Sequence, residues 1–379
     1  MDKNQIEQNI AEFRRNVNII QATGLGQLYG QPHFPGFLGR NLALMCGATS
    51  DEDQQLTRYL SQFPTETTLG ERKLLFNFFA TFWDGSQNVL EVGPYLGGTS
   101  RAIAMGMRRN PSRAADTRLY TYDKFRDYHP PQRMLELLAP LFQNGVLNDD
   151  ARAAIQNANS FKEVYDLLHG GQEYSDLIVA RTGILPDRPT QQLDPQEAFQ
   201  LPEDRAYSAV FVDGAKSWYG TKEFMRQSSR HTAPGAYYLF QDYGAHTCFW
   251  IPVYCELMKA FYNLVCYVDH TFVFQQTQPV TAADIDAVFP DTPEDFTDRQ
   301  VRAIFRNLYD FALETDNTYT LLNFQLQHAA ALAYRGRVEE ARDRIVELLK
   351  TPHALRYKSW ILNALQTPTY TPEGNVSLF

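Results

Sequence analysis

Residues 88–100, Asn-Val-Leu-Glu-Val-Gly-Pro-Tyr-Leu-Gly-Gly-Thr-Ser, constrain the fold more than any other stretch. Val89, Leu90 and Val92 form a short apolar run, the pattern of a strand buried on both faces of a parallel sheet. Gly93 ends the run. Gly97 and Gly98 follow, and Thr99 and Ser100 can cap a helix running from Arg101 to Arg108. Strand, glycine loop and helix together bring backbone N–H groups close to a ligand at the carboxyl end of a strand. A Cβ at the glycines would block that approach or forbid the turn.

The following chain supplies partners for such a strand. Leu119–Tyr122, 176–181, Tyr207–Val212 and Ala236–Phe240 read as further strands. Helices are expected at about 67–83, 220–231 and 250–262, the first with Leu74, Leu75, Phe78, Phe79 and Phe82 on its buried face. Segments at about 264–268 and 271–276 read as a closing hairpin around Asp269-His270. This alternation predicts an α/β domain over 65–280: a doubly wound, mostly parallel seven-stranded sheet with an antiparallel edge. Residues 126–174 exceed a simple crossover and read as a mostly helical insertion on the substrate side. Residues 184–206, with four prolines, read as a loop.

The flanks read differently. Ile6, Ile10, Phe13, Val17 and Ile20 make one helical stripe, and the glycine- and proline-rich 23–40 carries Tyr29, His33 and Phe34, which could cover a site or pack on themselves. Residues 1–64 are thus an N-terminal helix and loop extension. Residues 281–379 form a C-terminal helical region, with Val301, Ile304, Phe305, Leu308 and Phe311 on one stripe and further helices at 321–334 and 337–350. The junction at 333–341, with Pro352, resembles a single tetratricopeptide unit, fewer than the three or so a free-standing solenoid needs. The last twenty residues are expected to be a poorly structured or docked tail. Two uncommitted amphipathic regions predict a homodimer.

Charge and composition narrow the partners. The net charge of −9 argues against general nucleic-acid binding, and no run approaches 18 apolar residues, so no membrane span is expected. The start, Met-Asp-Lys-Asn-Gln-Ile, has no apolar signal core. Cys46, Cys248, Cys255 and Cys266 show no Cys-x-x-Cys spacing and read as reduced thiols of a cytoplasmic protein.

The glycine loop reads Gly-x-x-x-Gly-Gly, which is neither the dinucleotide nor the P-loop pattern. Glu91 would repel phosphates but suits a cationic ligand. Asp123 stands at the tip of the second strand, where an acid can accept from both hydroxyls of a ribose. The fourth strand ends in Asp213-Gly214-Ala215-Lys216, and the fifth in Gln241-Asp242-Tyr243. Residues 88–100 resemble motif I of the class I S-adenosylmethionine (SAM) dependent methyltransferases. The whole constellation, over about 65–276, is similar to the macrocin O-methyltransferase family, which methylates hydroxyls on natural products.

The resemblance implies roles. Glu91, Gly93, Tyr95, Leu96, Gly97, Thr99 and Ser100 would hold the methionyl part of SAM and Asp123 its ribose, with Lys124, Phe125 and Asp213 completing that site. Asp213, Gln241 and Asp242 correspond to ligands of a divalent metal, taken as Mg²⁺, which would orient the acceptor hydroxyl and lower its pKa. Asp213, Lys216 and His246 are the catalytic candidates. The chain departs from the family at Gln241, where an acid is usual, and at Ala215 and Lys216, where an aspartate or histidine base stands in some members. Lys216 would be a base only if its pKa fell by several units, and it could instead steer an acidic substrate. His246 has an equally ordinary structural reading, while Tyr219 and Tyr243 could orient the acceptor or line its pocket. The expected activity is O-methylation of a hydroxylated small molecule. The alternatives are metal-independent N- or C-methylation and a methyltransferase-like scaffold. A nicotinamide-dependent oxidoreductase is disfavoured by the glycine spacing and Glu91.

Overall fold

The computed structural model describes residues 51–126, 128–314 and 318–378. The expected helix at 3–21, the loop at 23–40 with Tyr29, His33 and Phe34, and Cys46 lie outside them. The sheet has seven strands: β1 (Asn88–Val92), β2 (Leu119–Asp123), β3 (Ile178–Thr182), β4 (Tyr207–Val212), β5 (Tyr237–Phe240), β6 (Tyr262–Val268) and β7 (Thr271–Gln276). Their order is β3-β2-β1-β4-β5-β7-β6. β1 to β5 are parallel, and only β7 runs against its neighbours, pairing with β5 and β6. This is a doubly wound, Rossmann-like sheet, with the strand order reversing between β1 and β4.

Each central strand is apolar because both its faces are covered. Val89 and Leu90 are wholly buried, as are Ala209, Val210 and Phe211 opposite them. One face packs on α1 (Asp51–Leu60), α2 (Leu69–Asn77) and α3 (Gly98–Arg109). Thr68 caps α2 through a reciprocal box with Glu71, and the helix then runs into a π-helical turn, Phe78–Phe82. The other face packs on α4 (Trp218–Ser228) and α5 (Trp250–Leu257). The 126–174 segment folds as short helices that close a separate apolar cluster with Leu96 and Phe125.

The C-terminal helices do not stand apart. α6 (Ala282–Val288), α7 (Asp298–Glu314) and α8 (Thr318–Tyr334) place Ile285, Val301, Ile304, Phe305, Leu308 and Phe324 in one apolar cluster with Val210, Phe240 and Trp250 of the sheet layer. Trp218, next to the β4 loop, stacks on Phe289 at 4.2 Å and donates to the Pro290 carbonyl at 2.8 Å. α9 (Val338–Leu348) and α10 (His353–Gln366) complete the region. The expected tail is therefore helical as far as Gln366. Ile361 and Ala364 are buried, and Trp360 donates to Asn323 Oδ1 at 2.7 Å, which docks the segment on α8. Cys248, Cys255 and Cys266 are buried. Among the described residues no helix is long and apolar enough to cross a membrane.

Candidate active site

The loops after β1, β2, β4 and β5 meet at the carboxyl edge of the sheet, around the point where the strand order reverses. Gly93 (φ 82°) follows β1, and its N–H donates to the Tyr122 carbonyl at 2.9 Å. A Cβ at Gly93 would lie 2.5 Å from the Gly214 Cα and N, so the β1 and β4 loops touch backbone to backbone. Gly97 (φ 82°) is a glycine for a different reason. A Cβ there would lie 1.9 Å from His169 Nε2, on a helix of the insertion.

His169 was missed in the sequence because it stands far from the loop it supports. It is 3% exposed, with Nε2 at 3.3 Å from the Leu96 carbonyl and Nδ1 at 3.1 Å from the Tyr174 hydroxyl. A carbonyl only accepts, so Nε2 carries the proton and Nδ1 accepts from Tyr174. Burial, aided by Arg101, brings its pKa down from 6.5 to about 3. Below pH 6.5 the unfolded chain then binds a proton that the folded chain refuses, so this group lowers stability as pH falls. His169→Gln, which does not titrate, is expected to lose about 2 kcal/mol less than the parent between pH 6.5 and 5, read from urea unfolding at each pH. Equal losses would show that His169 is protonated in the folded state.

The predicted cofactor residues divide into two sets. Glu91 is fully buried, with Oε1 accepting from Thr99 Oγ1 at 2.7 Å and Oε2 from Ser100 Oγ at 2.6 Å. Burial pushes its carboxyl up, against those hydrogen bonds. Glu91, Thr99 and Ser100 thus lock strand β1 to the first turn of α3, and Leu96, Gly97 and Phe125 are buried with them. Of the others, Gly93 and Tyr95 are half-buried, Lys124 is exposed, and Asp123 is 3% exposed at the tip of β2. Asp123 Oδ1 accepts from the Phe125 N–H at 2.7 Å, and Oδ2 from the Tyr128 hydroxyl at 3.1 Å. Burial pushes the Asp123 carboxyl up, against the Phe125 N–H and the Tyr128 hydroxyl. Among the described residues, non-glycine residues with positive φ are Tyr95, Phe125, Asp242 and Asp269. Three of the four stand in the loops after β1, β2 and β5, and strain of this kind collects at functional sites.

Asp213, Lys216, Gln241 and Asp242 come together, as the spacing suggested. Lys216 Nζ donates to Asp213 Oδ1 at 2.7 Å, to Gln241 Oε1 at 3.2 Å and to Asp242 Oδ2 in close contact. Desolvation opposes charge on Lys216, whose side chain keeps 45% of its surface exposed, but the Asp213 and Asp242 carboxylates outweigh it and hold the amine well above its usual value. That is opposite to the shift a base needs. Burial pushes the Asp213 carboxyl up, against the pull of Lys216 and with the Asp242 charge. The oxygens of Asp213, Gln241 and Asp242 are the donors a divalent ion would use, and their meeting point is the Lys216 ammonium. In this arrangement they do not fit Mg²⁺. Among the described residues no group of three or more His, Cys, Asp or Glu is placed to hold a metal.

His246 stands behind this cluster. It is 7% exposed, and Nε2 donates to the Thr367 carbonyl at 3.1 Å. Burial lowers its pKa to about 4. Tyr243 is buried against Phe272 at 4.2 Å, and its carbonyl and that of Ala245 accept from Gln327 Nε2 of α8 at 2.9 and 2.7 Å. The C-terminal region therefore braces the loop that carries Asp242, a contact without any local sequence signal.

No family model matches the sequence, and neither does any curated protein. Among solved structures the chain is similar to the O-methyltransferase NovP, at 17% identity over 57% of this chain and 84% of that one, TM-score 0.35. It is also similar to an O-methyltransferase from Bacillus cereus in complex with SAH (12% identity, 60% of this chain, 90% of that one, TM-score 0.34). A third is a putative O-methyltransferase from Klebsiella pneumoniae (14%, 69% and 94%, TM-score 0.33).

Proposed function

We propose that the protein is a SAM-dependent methyltransferase acting on a hydroxyl of a small molecule of sugar or natural-product type. The observation that carries this reading is Asp123 at the tip of β2, held by the Phe125 N–H and the Tyr128 hydroxyl at the carboxyl edge where the strand order reverses. Among the described residues Asp123 Oδ2 has only a tyrosine hydroxyl as its side-chain partner, so a ribose diol would have an acceptor there. Gly93 and Tyr95 are half-buried in the loop after β1, and the buried Glu91, Thr99 and Ser100 fasten β1 to the helix that follows that loop. When bound, SAM would supply a sulfonium methyl, open to in-line attack by the acceptor oxygen. The chain's part is then to hold that oxygen in line and away from water. Asp213 and Asp242 stand just after β4 and β5 at the same carboxyl edge, where an acceptor hydroxyl would approach. A cytoplasmic location and a homodimer belong to the same reading.

Calorimetry with S-adenosylhomocysteine tests it. The protein is expected to bind with a Kd in the micromolar range. Asp123→Ala should weaken binding by about 30- to 100-fold, the effect of losing a charged acceptor for two hydroxyls. No binding at millimolar ligand would end the methyltransferase reading. Binding unaffected by Asp123→Ala would move the ribose elsewhere.

A further inference from the structure

The divalent ion implied by the family resemblance has a competitor inside the chain. Three oxygens, from Asp213 at the end of β4 and from Gln241 and Asp242 at the end of β5, converge on one point, and Lys216 Nζ occupies it. All three N–H groups of the ammonium have an acceptor, so the seat is saturated. The charges fit one cation. Asp213 and Asp242 give −2, and Lys216 leaves the cluster at −1. A divalent ion beside a retained Lys216 would bring it to +1.

The sequence offsets explain the placement. Lys216 lies three residues after Asp213, its backbone N–H donates to the Gly214 carbonyl at 3.0 Å, and this turn folds the side chain back over the strand end. Asp242 (φ 63°) is held in its left-handed conformation with its loop fastened by Gln327, so its carboxylate is presented to the same point. Gln241 offers an amide oxygen where a third carboxylate would favour a metal over an ammonium.

We infer that Lys216 is the resident cation of this seat, and that the chain binds no divalent metal between Asp213, Gln241 and Asp242 while the lysine is present. On the methyltransferase reading, on which only this consequence rests, the fixed positive charge beside the acceptor is the Lys216 ammonium in place of a metal ion.

Mn²⁺ is the probe, followed by electron paramagnetic resonance and thermal melting on the full chain. The parent protein is expected to bind no Mn²⁺ at about 1 mM, and its melting temperature should not move. Lys216→Met leaves two carboxylates and an amide oxygen facing one another. It should melt lower without metal, bind one Mn²⁺ per chain at about 100 µM or tighter, and regain stability on binding. Lys216→Arg should stay closed to Mn²⁺, and adding Asp242→Asn to Lys216→Met should abolish binding. The inference is overturned if the parent binds one Mn²⁺ that Asp242→Asn removes, or if folded Lys216→Met binds none. If Lys216→Met does not fold, the parent and its Asp242→Asn variant decide alone. S-adenosylhomocysteine binding, measured on the same samples, reports separately on the methyltransferase reading. Its absence leaves the Mn²⁺ result standing.

Discussion

Gly93→Ala is expected to destabilise the protein by about 4 kcal/mol and to remove S-adenosylhomocysteine binding, through two additive causes. The φ of 82° puts an alanine in the left-handed region, at a cost of about 1 kcal/mol. The larger cause is contact. The new Cβ would lie 2.5 Å from the Gly214 Cα and N and 2.7 Å from the Asp213 carbonyl carbon. Those atoms are backbone, and the Asp213 N–H is fixed to the Val92 carbonyl at 2.9 Å, so the β4 loop cannot move without breaking the sheet end. Gly145→Ala is the control. It has a φ of 68° and nothing within 4 Å of the new Cβ, so only the conformational cost of about 1 kcal/mol remains. Urea unfolding of both variants separates the causes. Equal losses would mean that loop contact is not what requires glycine at 93.

The same comparison shows what the sequence revealed. Val89, Leu90 and Val92, and Tyr207 to Val212, read as buried strands because a parallel sheet covered on both faces leaves few polar positions to confuse the pattern. Gly93 was legible as a loop glycine, although its partner is Gly214 and so the chain itself. Asp213, Lys216, Gln241 and Asp242 were legible as a group because adjacent parallel strands end at one edge. Whether Lys216 points into that group or away from it depends on the turn after Asp213, which composition and spacing do not fix. His169 and Gln327 were invisible for another reason. A histidine in an insertion and a glutamine on a C-terminal helix acquire meaning only when tertiary packing sets them against Leu96 and Tyr243. The π-helical turn at Phe78–Phe82 and the shared core of the C-terminal helices likewise follow from long-range packing, which no local period encodes.

Arg101→Lys should destabilise the protein by about 2–3 kcal/mol and Arg101→Ala by about 4 kcal/mol, although lysine keeps the charge. Arg101 is 2% exposed on the first turn of α3. Its guanidinium donates to the Tyr59 carbonyl at 3.2 Å, Gln172 Oε1 at 2.8 Å and Gln62 Oε1 at 2.6 Å, and lies over the Tyr59 ring at 3.5 Å and the Phe63 ring at 4.5 Å. None of these partners is a carboxylate. What the site rewards is a planar fork that reaches acceptors from the segment before α2 and from the end of the insertion while stacking on aromatic faces. A lysine ammonium offers three donors around one point, so it cannot span those acceptors and still stack. At least two would be left buried without a donor, at about 1–3 kcal/mol each before relaxation. Arg101→Met, which removes the charge and keeps much of the volume, should fall near the lysine variant. If the lysine variant matched the parent, charge alone would be the requirement. If methionine proved more stable than the parent, desolvation of the cation would outweigh its hydrogen bonds, and Arg101 would fix the orientation of the segment before α2 and the insertion at a net loss of stability.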